Sequence, residues 1–586
     1  MPSPYRGLAS FVFCWVVRRI GAQGAFRSSI MQQQRGIAWM RSLDGADAEQ
    51  QMNLTQFFEH WSIVENPFRG EEARHDSIFA RMGINPNLAR SSIADDSMPG
   101  DQSLAKPRSP STHSDFEKIM GELDRPSTSI VFGEKGAGKT AIRLQIAGRI
   151  DKHNRQHPER KIFMIPYDDL NAVLDHYKMQ ASSKNKSNPF IDMRLVDHMD
   201  AMISIGTGRV LNAILPGPTN PPPANLGDES SAQLAKRARK LPASVRQDLF
   251  LLQAVYDTND STGHRTAELR QLLKLQGGGL GALLVIGLWI GWIPAIALFL
   301  WARIYMGFDG VLATVTDVGS GVLFLGWGGL LVKAFLLDRL VLNRDAGKLM
   351  KQLRMVNRTS RGYLGSIRRL PRAILSSGQL PTTDSDEQRY AMFARLMRVI
   401  EAFGFTGVMI VIDRVDEPTL VNGDSDKMRS IIWPMFNNKF LQLERVGVKM
   451  LLPIELRHAL FKESSAFFQE ARLDKQNMIE RLSWTGAMLY DLCNARLGVC
   501  RPANAEPISL IDLFAPEVTR SDVVDALGAM QQPRDAFKFM YRCMGEHCAS
   551  VTADDGSWKI ARHTLEYVRR EEAERVMQLQ RGIRPA

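Results

Sequence analysis

The stretch that decides the fold is Gly133–Thr140, "GEKGAGKT", which satisfies the pattern G-x-x-x-x-G-K-[ST] at every required position. A short β-branched and apolar run, "STSIVF" (Ser127–Phe132), precedes it, and a helical pattern, "AIRLQIAGRI" (Ala141–Ile150), follows. Strand, glycine loop and helix in that order are the context in which such a loop binds phosphate. Gly133, Gly136 and Gly138 let backbone amides wrap a β-phosphate, with Glu134, Lys135 and Ala137 completing the loop. The helix that opens near Lys139 aims its positive end at the anion. Lys139 is placed to neutralise β- and γ-phosphates and the Thr140 hydroxyl to ligate Mg2+, so ATP and Mg2+ are the expected cofactors.

The acidic partner of this loop lies about 280 residues further on, in "GVMIVIDRVDE" (Gly407–Glu417). Its continuous apolar run reads as a buried parallel strand that ends on Asp413, the expected metal-side carboxylate. The next residue is Arg414 instead of an acid. Orientation of an attacking water therefore falls to Asp416 or Glu417, with Glu417 the preferred reading. "RKIFMIPYDDL" (Arg160–Leu170) supplies a further strand near Ile162–Ile165. "VKMLLPIEL" (Val448–Leu456) supplies another, ending in Glu455 with Arg457 just beyond: either a place for a γ-phosphate sensor or plain surface residues. In "QQPRDAFKFMYRCM" (Gln531–Met544), Arg534 follows Pro533 at a helix start, where it either reaches the phosphates or is solvated.

Between the two motifs, Leu280–Trp301 is a 22-residue run without charge, long enough to cross a hydrocarbon core of about 30 Å at 1.5 Å per residue. A second run, Val318–Leu337, is apolar apart from Lys333. Both are apolar all round, unlike the striped helices of soluble domains. After them Arg339, Arg344, Lys348, Lys351, Arg354, Arg358, Arg361, Arg368, Arg369 and Arg372 face only Asp338 and Asp345. The positive-inside rule then puts both large flanks in the cytoplasm. The expected location is a multi-pass protein of the cell inner membrane with its nucleotide domain cytoplasmic. An even number of crossings returns the chain to the side it left, so the two halves of the site can meet. The excess of 74 Lys and Arg over 63 Asp and Glu is met by an anionic membrane face, and nucleic acid is not required.

Five cysteines in 586 residues form no disulfide framework. "CMGEHC" (Cys543–Cys548) with Cys493 and Cys500 lacks a C-x-x-C and the spacing of a zinc ribbon, so ordinary thiols are expected. The first 43 residues contain six Arg and no Asp or Glu. An organelle transit peptide and a start placed upstream of Met40 or Met52 fit this composition equally.

With these residues in view, the chain resembles the STAND and AAA+ branch of P-loop NTPases, and especially the KAP group of membrane ATPases, whose transmembrane helices are inserted between the two nucleotide motifs. "DRVDE" (Asp413–Glu417) resembles the D-x-x-D-E form of NACHT-type proteins, which supports Asp416 and Glu417 as the catalytic pair. "ENPFRGEEARHD" (Glu65–Asp76) is similar to the segment that precedes the loop in such ATPases and packs near the adenine. "ERLSWTGAMLYDLCNARL" (Glu480–Leu497) and "QPRDAF" look like their helical lid, with Arg534 at the sensor position. The Asp416-Glu417-Pro418 sequence departs from the Asp-Arg that usually follows the second acid of the KAP pattern.

The fold class expected is α/β: a P-loop NTPase parallel sheet flanked by helices, with an inserted transmembrane hairpin and a C-terminal helical lid. The expected division is 1–52, a basic N-terminal segment; 53–214, the first part of the NTPase domain; 215–279, a proline-rich linker and helical lead-in; 280–337, the hairpin; 338–380, a basic juxtamembrane helix; 381–475, the second part of the NTPase domain; and 476–586, the lid. The resemblance implies a nucleotide-dependent switch in signalling or defence, with a homo-oligomer, a lipid bilayer and an effector protein as partners. A non-hydrolysing ATP-binding scaffold and an oligomeric transporter or channel are the alternatives. No N-K-x-D motif follows the later strands, which favours ATP over GTP.

Overall fold

The computed structural model describes residues 52–70, 72–84, 112–180, 188–215, 221–227, 229–258, 262–275, 286–305, 311–371, 374–375, 378–502, 504–552 and 556–580. The basic segment 1–51 and the start of the first apolar run, 280–285, lie outside the described residues.

Five strands form one parallel sheet: β1 (Ser129–Gly133), β2 (Lys161–Tyr167), β3 (Phe405–Ile412), β4 (Val446–Pro453) and β5 (Asn477–Ile479), in the order β2-β3-β4-β1-β5. β1 and β4 are buried along their whole length and β3 along nearly all of it, as parallel strands covered on both faces require. Side chains alternate between the faces with period two. Val408, Ile410 and Ile412 of β3 enter one core, while Met409 and Val411 enter the other.

The helices used below are, in chain order, α1 (Leu54–His60), α2 (Lys139–Gln156), α3 (Leu195–Ile214), α4 (Ala243–Tyr256), α5 (Ile293–Tyr305), α6 (Val311–Val332), α7 (Asp338–Gln352), α8 (Asp386–Ala402), α9 (Ile454–Leu460), α10 (Gly486–Val499), α11 (Arg520–Met530), α12 (Pro533–Ser550) and α13 (Arg562–Gln580). On one face of the sheet Ile142, Ile146 and Ile150 of α2 meet Val131, Val411 and Leu451. On the other, α3, α4 and α8 bring Met199, Phe250 and Leu396 against Phe163, Ile410 and Met450. α3 buries Asp197, His198 and Asp200 completely. Each has a partner, as buried polar groups need: Arg354 binds Asp197 at 2.6 Å, Arg389 and Tyr256 bind Asp200, and the Tyr167 hydroxyl meets His198 Nδ1 at 3.0 Å.

A separate core joins the two ends of the described chain. Phe57, Phe68 and Ile78 pack with Leu489, Leu527, Phe539 and Met540 of α10, α11 and α12. Residues 52–79, grouped by sequence with the P-loop half, thus build the same unit as the lid helices. Cys493, Cys500, Cys543 and Cys548 are free thiols buried in this unit.

The fourth strand is shorter than the sequence suggests. It stops at Pro453, which has no N–H to extend a ladder, and Glu455 and Arg457 belong to α9. Between β2 and β3 the chain makes α5 and α6, an antiparallel apolar pair. Arg303 bonds Asp317 at 2.6 Å near one end, and Trp327 Nε1 donates to the Leu288 carbonyl at 3.1 Å near the other. A Cβ on Gly291 would sit 2.8 Å from the Trp327 ring, so this close approach needs glycine. Among the described residues one helix, Thr314–Val332, is long and apolar enough to cross a membrane, and Ile286–Trp301 is a shorter apolar helix.

Candidate functional site

β1 delivers the loop at the carboxyl edge of the sheet, where parallel α/β folds place their ligands. Gly136 and Gly138 adopt φ of +98° and +94°, conformations that cost a side-chain-bearing residue about 1–2 kcal/mol. α2 then starts at Lys139 with Gly138 as its cap and no side-chain cap hydrogen bond. Its first N–H groups therefore have no side chain competing with an anion. Lys139 folds back over the loop, its Nζ donating to the carbonyls of Gly133 at 2.7 Å and Glu134 at 3.0 Å. Burial lowers its pKa, opposed in decreasing order by Asp416, Asp413, Glu455 and Glu417. Four carboxylates thus surround the ammonium that would meet the phosphates. Lys135 is exposed at the loop tip.

Asp413 follows β3 directly and is 1% exposed. Its Oδ2 accepts from the Thr140 hydroxyl at 3.2 Å and lies 3.4 Å from Arg143 Nε, while Oδ1 is buried without a hydrogen-bond partner. Burial pushes its pKa up to about 6, with Arg143 and Lys139 pulling the other way. A buried carboxylate oxygen left unmatched costs about 1–3 kcal/mol or more. A hard divalent cation beside a hydroxyl oxygen would satisfy it. Thr140 and Asp413 therefore fit Mg2+.

Beyond Asp413, Arg414 takes φ +63°, a left-handed turn that the sequence motif did not announce. Its guanidinium pairs with Glu72 and, through Nε, with Glu417 at 2.7 Å. Glu417 is exposed as well as paired, whereas Asp416 is half-buried and among the described residues has no hydrogen-bond partner for its carboxylate. Asp416 also acts most strongly of the four acids on Lys139. Of the two candidates, Asp416 is the one without an ion pair among the described residues.

The C-terminal helical unit packs on the loop from the other side. Gln532 and Arg481 both bond the Glu134 carboxylate, Arg481 at 2.7 Å, and Trp484 Nε1 donates to the Ala137 carbonyl at 2.9 Å. Pro533 opens α12, and Arg534 in its first turn lies over Gly136, whose added Cβ would be 3.1 Å from Arg534 Cβ. The fold thus brings Arg534 to the P-loop. The chain matches no family model, no curated protein and no solved structure.

Sequence reasoning missed Arg143, Asp168, Glu134's lid partners and Trp484. One signal existed for Arg143: it stands four residues after Lys139, on the same helical face. Arg457 pairs with Glu480 at 2.7 Å, on α9 next to β5.

Proposed function

We propose that the chain is a membrane-anchored P-loop ATPase in which bound Mg-ATP switches the lid. The observation that carries this reading is the bond from the Thr140 hydroxyl to the Asp413 carboxylate, made between the start of α2 and the end of β3 across 273 positions of sequence. In this scheme the loop amides and Lys139 hold the phosphates, Thr140 and Asp413 hold the ion, and Arg534 senses the γ-phosphate from the lid. Asp416, or Glu417 once released from Arg414, orients water. Thr140 and Asp413 would hold Mg2+, which would supply positive charge against the phosphates.

The membrane part rests on exposure. Thr314–Val332 is apolar and only 6% buried, the reverse of a core helix. Trp289 is 78% exposed and Trp301, Phe324, Val332, Phe335 and Leu336 are exposed too. So large an apolar surface marks a contact with lipid or protein. In our reading α5 and α6 form the hairpin, and the nucleotide domain lies in the cytoplasm beside the basic α7.

The Arg414–Glu417 pair favours a second reading, a non-hydrolysing ATP-binding scaffold. Steady-state hydrolysis by the full chain in detergent, with Lys139→Ala, Asp416→Asn and Glu417→Gln, separates the two. The ATPase reading expects turnover in wild type that Lys139→Ala abolishes and Asp416→Asn lowers by about 10²–10⁴-fold. Tight ATP binding without turnover in wild type refutes the ATPase and leaves the scaffold.

A further inference from the structure

Asp168 and Asp413 stand side by side at the carboxyl edge of the sheet, because β2 and β3 are neighbours in register through Tyr167 and Ile412. The Asp413 N–H donates to the Tyr167 carbonyl at 3.4 Å, which ties the two strand ends together. Adjacent carboxylates repel unless a cation lies between them. That cation is Arg143, nine-tenths buried on α2, with Nη1 2.7 Å from Asp168 Oδ2 and Nε 3.4 Å from Asp413 Oδ2. Arg74 reaches the same Asp168 oxygen from the N-terminal segment at 3.1 Å. The Thr140 hydroxyl bonds Oδ2 of Asp413 and Arg143 Nε faces the same oxygen as an ion pair without a hydrogen bond, so Oδ1, buried and without a hydrogen-bond partner, is the oxygen left for a cation.

We propose that Arg143 and Asp168 are positioning residues for the metal carboxylate: Asp168 fixes the guanidinium, the guanidinium fixes Oδ2 of Asp413, and Oδ1 is thereby presented to the divalent ion. This rests on the nucleotide-site reading above and extends it to two residues that touch neither nucleotide nor ion. Planarity matters here. A guanidinium presents donors in a fixed fork and can bind two carboxylates at once, whereas a lysine offers a point charge on a flexible stem. Removal of groups that orient a metal ligand costs about 10–100-fold in metal affinity.

The test measures binding, without turnover. A fluorescent ATP analogue is titrated into the full chain in detergent, first in EDTA and then with Mg2+, and Mn2+ affinity is read by electron paramagnetic resonance. In EDTA the phosphates meet only the loop, so Arg143→Met and Asp168→Asn are expected to bind within about twofold of wild type, while their Mn2+ affinity falls by about 10–100-fold and the Mg2+ enhancement shrinks with it. Arg143→Lys is expected to recover part of the loss, because charge returns without the fork. Asp168→Asn is isosteric and keeps the test open should Arg143→Met fold poorly. Unchanged Mn2+ affinity in both variants overturns the proposal. Parallel loss of EDTA binding in Asp168→Asn overturns it as well, since the pair would then merely support the loop. If wild type binds no nucleotide in either condition, the nucleotide-site reading itself falls; if it binds and only the metal dependence is indifferent to Arg143, that reading stands and this one does not.

Discussion

Lys449 offers a direct measurement of what the sheet centre costs. It occupies β4 opposite Ser129 of β1 and Val411 of β3, with no exposed surface. Its Nζ donates to the Ser127 carbonyl at 2.7 Å and the Ser129 hydroxyl at 3.1 Å, and among the described residues it has no ion pair. Burial lowers its pKa from the usual 10.5 to about 7. Between these values the unfolded chain holds the proton and the folded chain does not, so stability rises with pH across the window, and the cost is fully present below pH 7. At about 1.4 kcal/mol per unit, the cost at pH 7 is on the order of 4 kcal/mol and falls to roughly 1 kcal/mol by pH 10. Lys449→Met removes it and leaves the Ser127 carbonyl and Ser129 hydroxyl each one donor short, about 1 kcal/mol apiece. The expected result is a gain of about 2 kcal/mol at pH 7 and a loss of about 1 kcal/mol at pH 10. Calorimetric unfolding of the full chain in detergent at the two pH values reads the difference. Equal destabilisation by Lys449→Met at both would refute the argument, because it would show the ammonium to be charged and fully satisfied in its site.

Glu134→Ala removes the Gln532 and Arg481 bonds to the loop and leaves that of Trp484 to the Ala137 carbonyl. Loss of a charge-assisted amide bond and a half-exposed ion pair is expected to weaken closure by about 2–3 kcal/mol, seen as faster hydrogen exchange in the first turns of α12. Gly136→Ala meets both a left-handed φ and the Gln532 Oε1 at 2.9 Å, so it should cost about 1–2 kcal/mol and weaken nucleotide binding. Gly347→Ala in α7 meets nothing within 4 Å and should stabilise by about 0.5–1 kcal/mol, a control of opposite sign in thermal unfolding. Arg496→Met takes a buried cation from Asp76 (2.7 Å), the Pro67 carbonyl (2.7 Å) and the face of Phe537, and should destabilise the lid unit by about 3–5 kcal/mol in denaturant titration.

What could be read from sequence was what is local. The glycine loop is a run of eight residues in which Gly136 and Gly138 take left-handed φ, so the motif and its turn coincide. Asp413 was readable because an apolar strand must end at a polar residue. The parts that escaped depend on neighbours far away in sequence. Arg143 and Asp168 form a pair only once β2 and β3 are known to be adjacent, and Gln532 acquires meaning only when α12 is seen to start over Gly136. The pairing of the left-handed Arg414 with Glu417 is likewise invisible in the motif. The buried Asp197, His198 and Asp200 break the apolar face of α3, and no periodicity announces their partners on β2, α4, α8 and the segment after α7.

The strand order has a consequence for how the protein comes into being. Among the described residues β1 pairs only with β4 and β5, and β2 only with β3, and each of those partners follows the apolar helices in the chain. The two strands made first are not neighbours and can form no ladder with each other. As synthesis proceeds from the N-terminus, α5 and α6 emerge before any sheet exists, and every strand pairing is a late, long-range event. A chain interrupted between α2 and β3 therefore holds a complete glycine loop with no sheet beneath it, so the proposed nucleotide site can arise only after the apolar pair has met its surroundings.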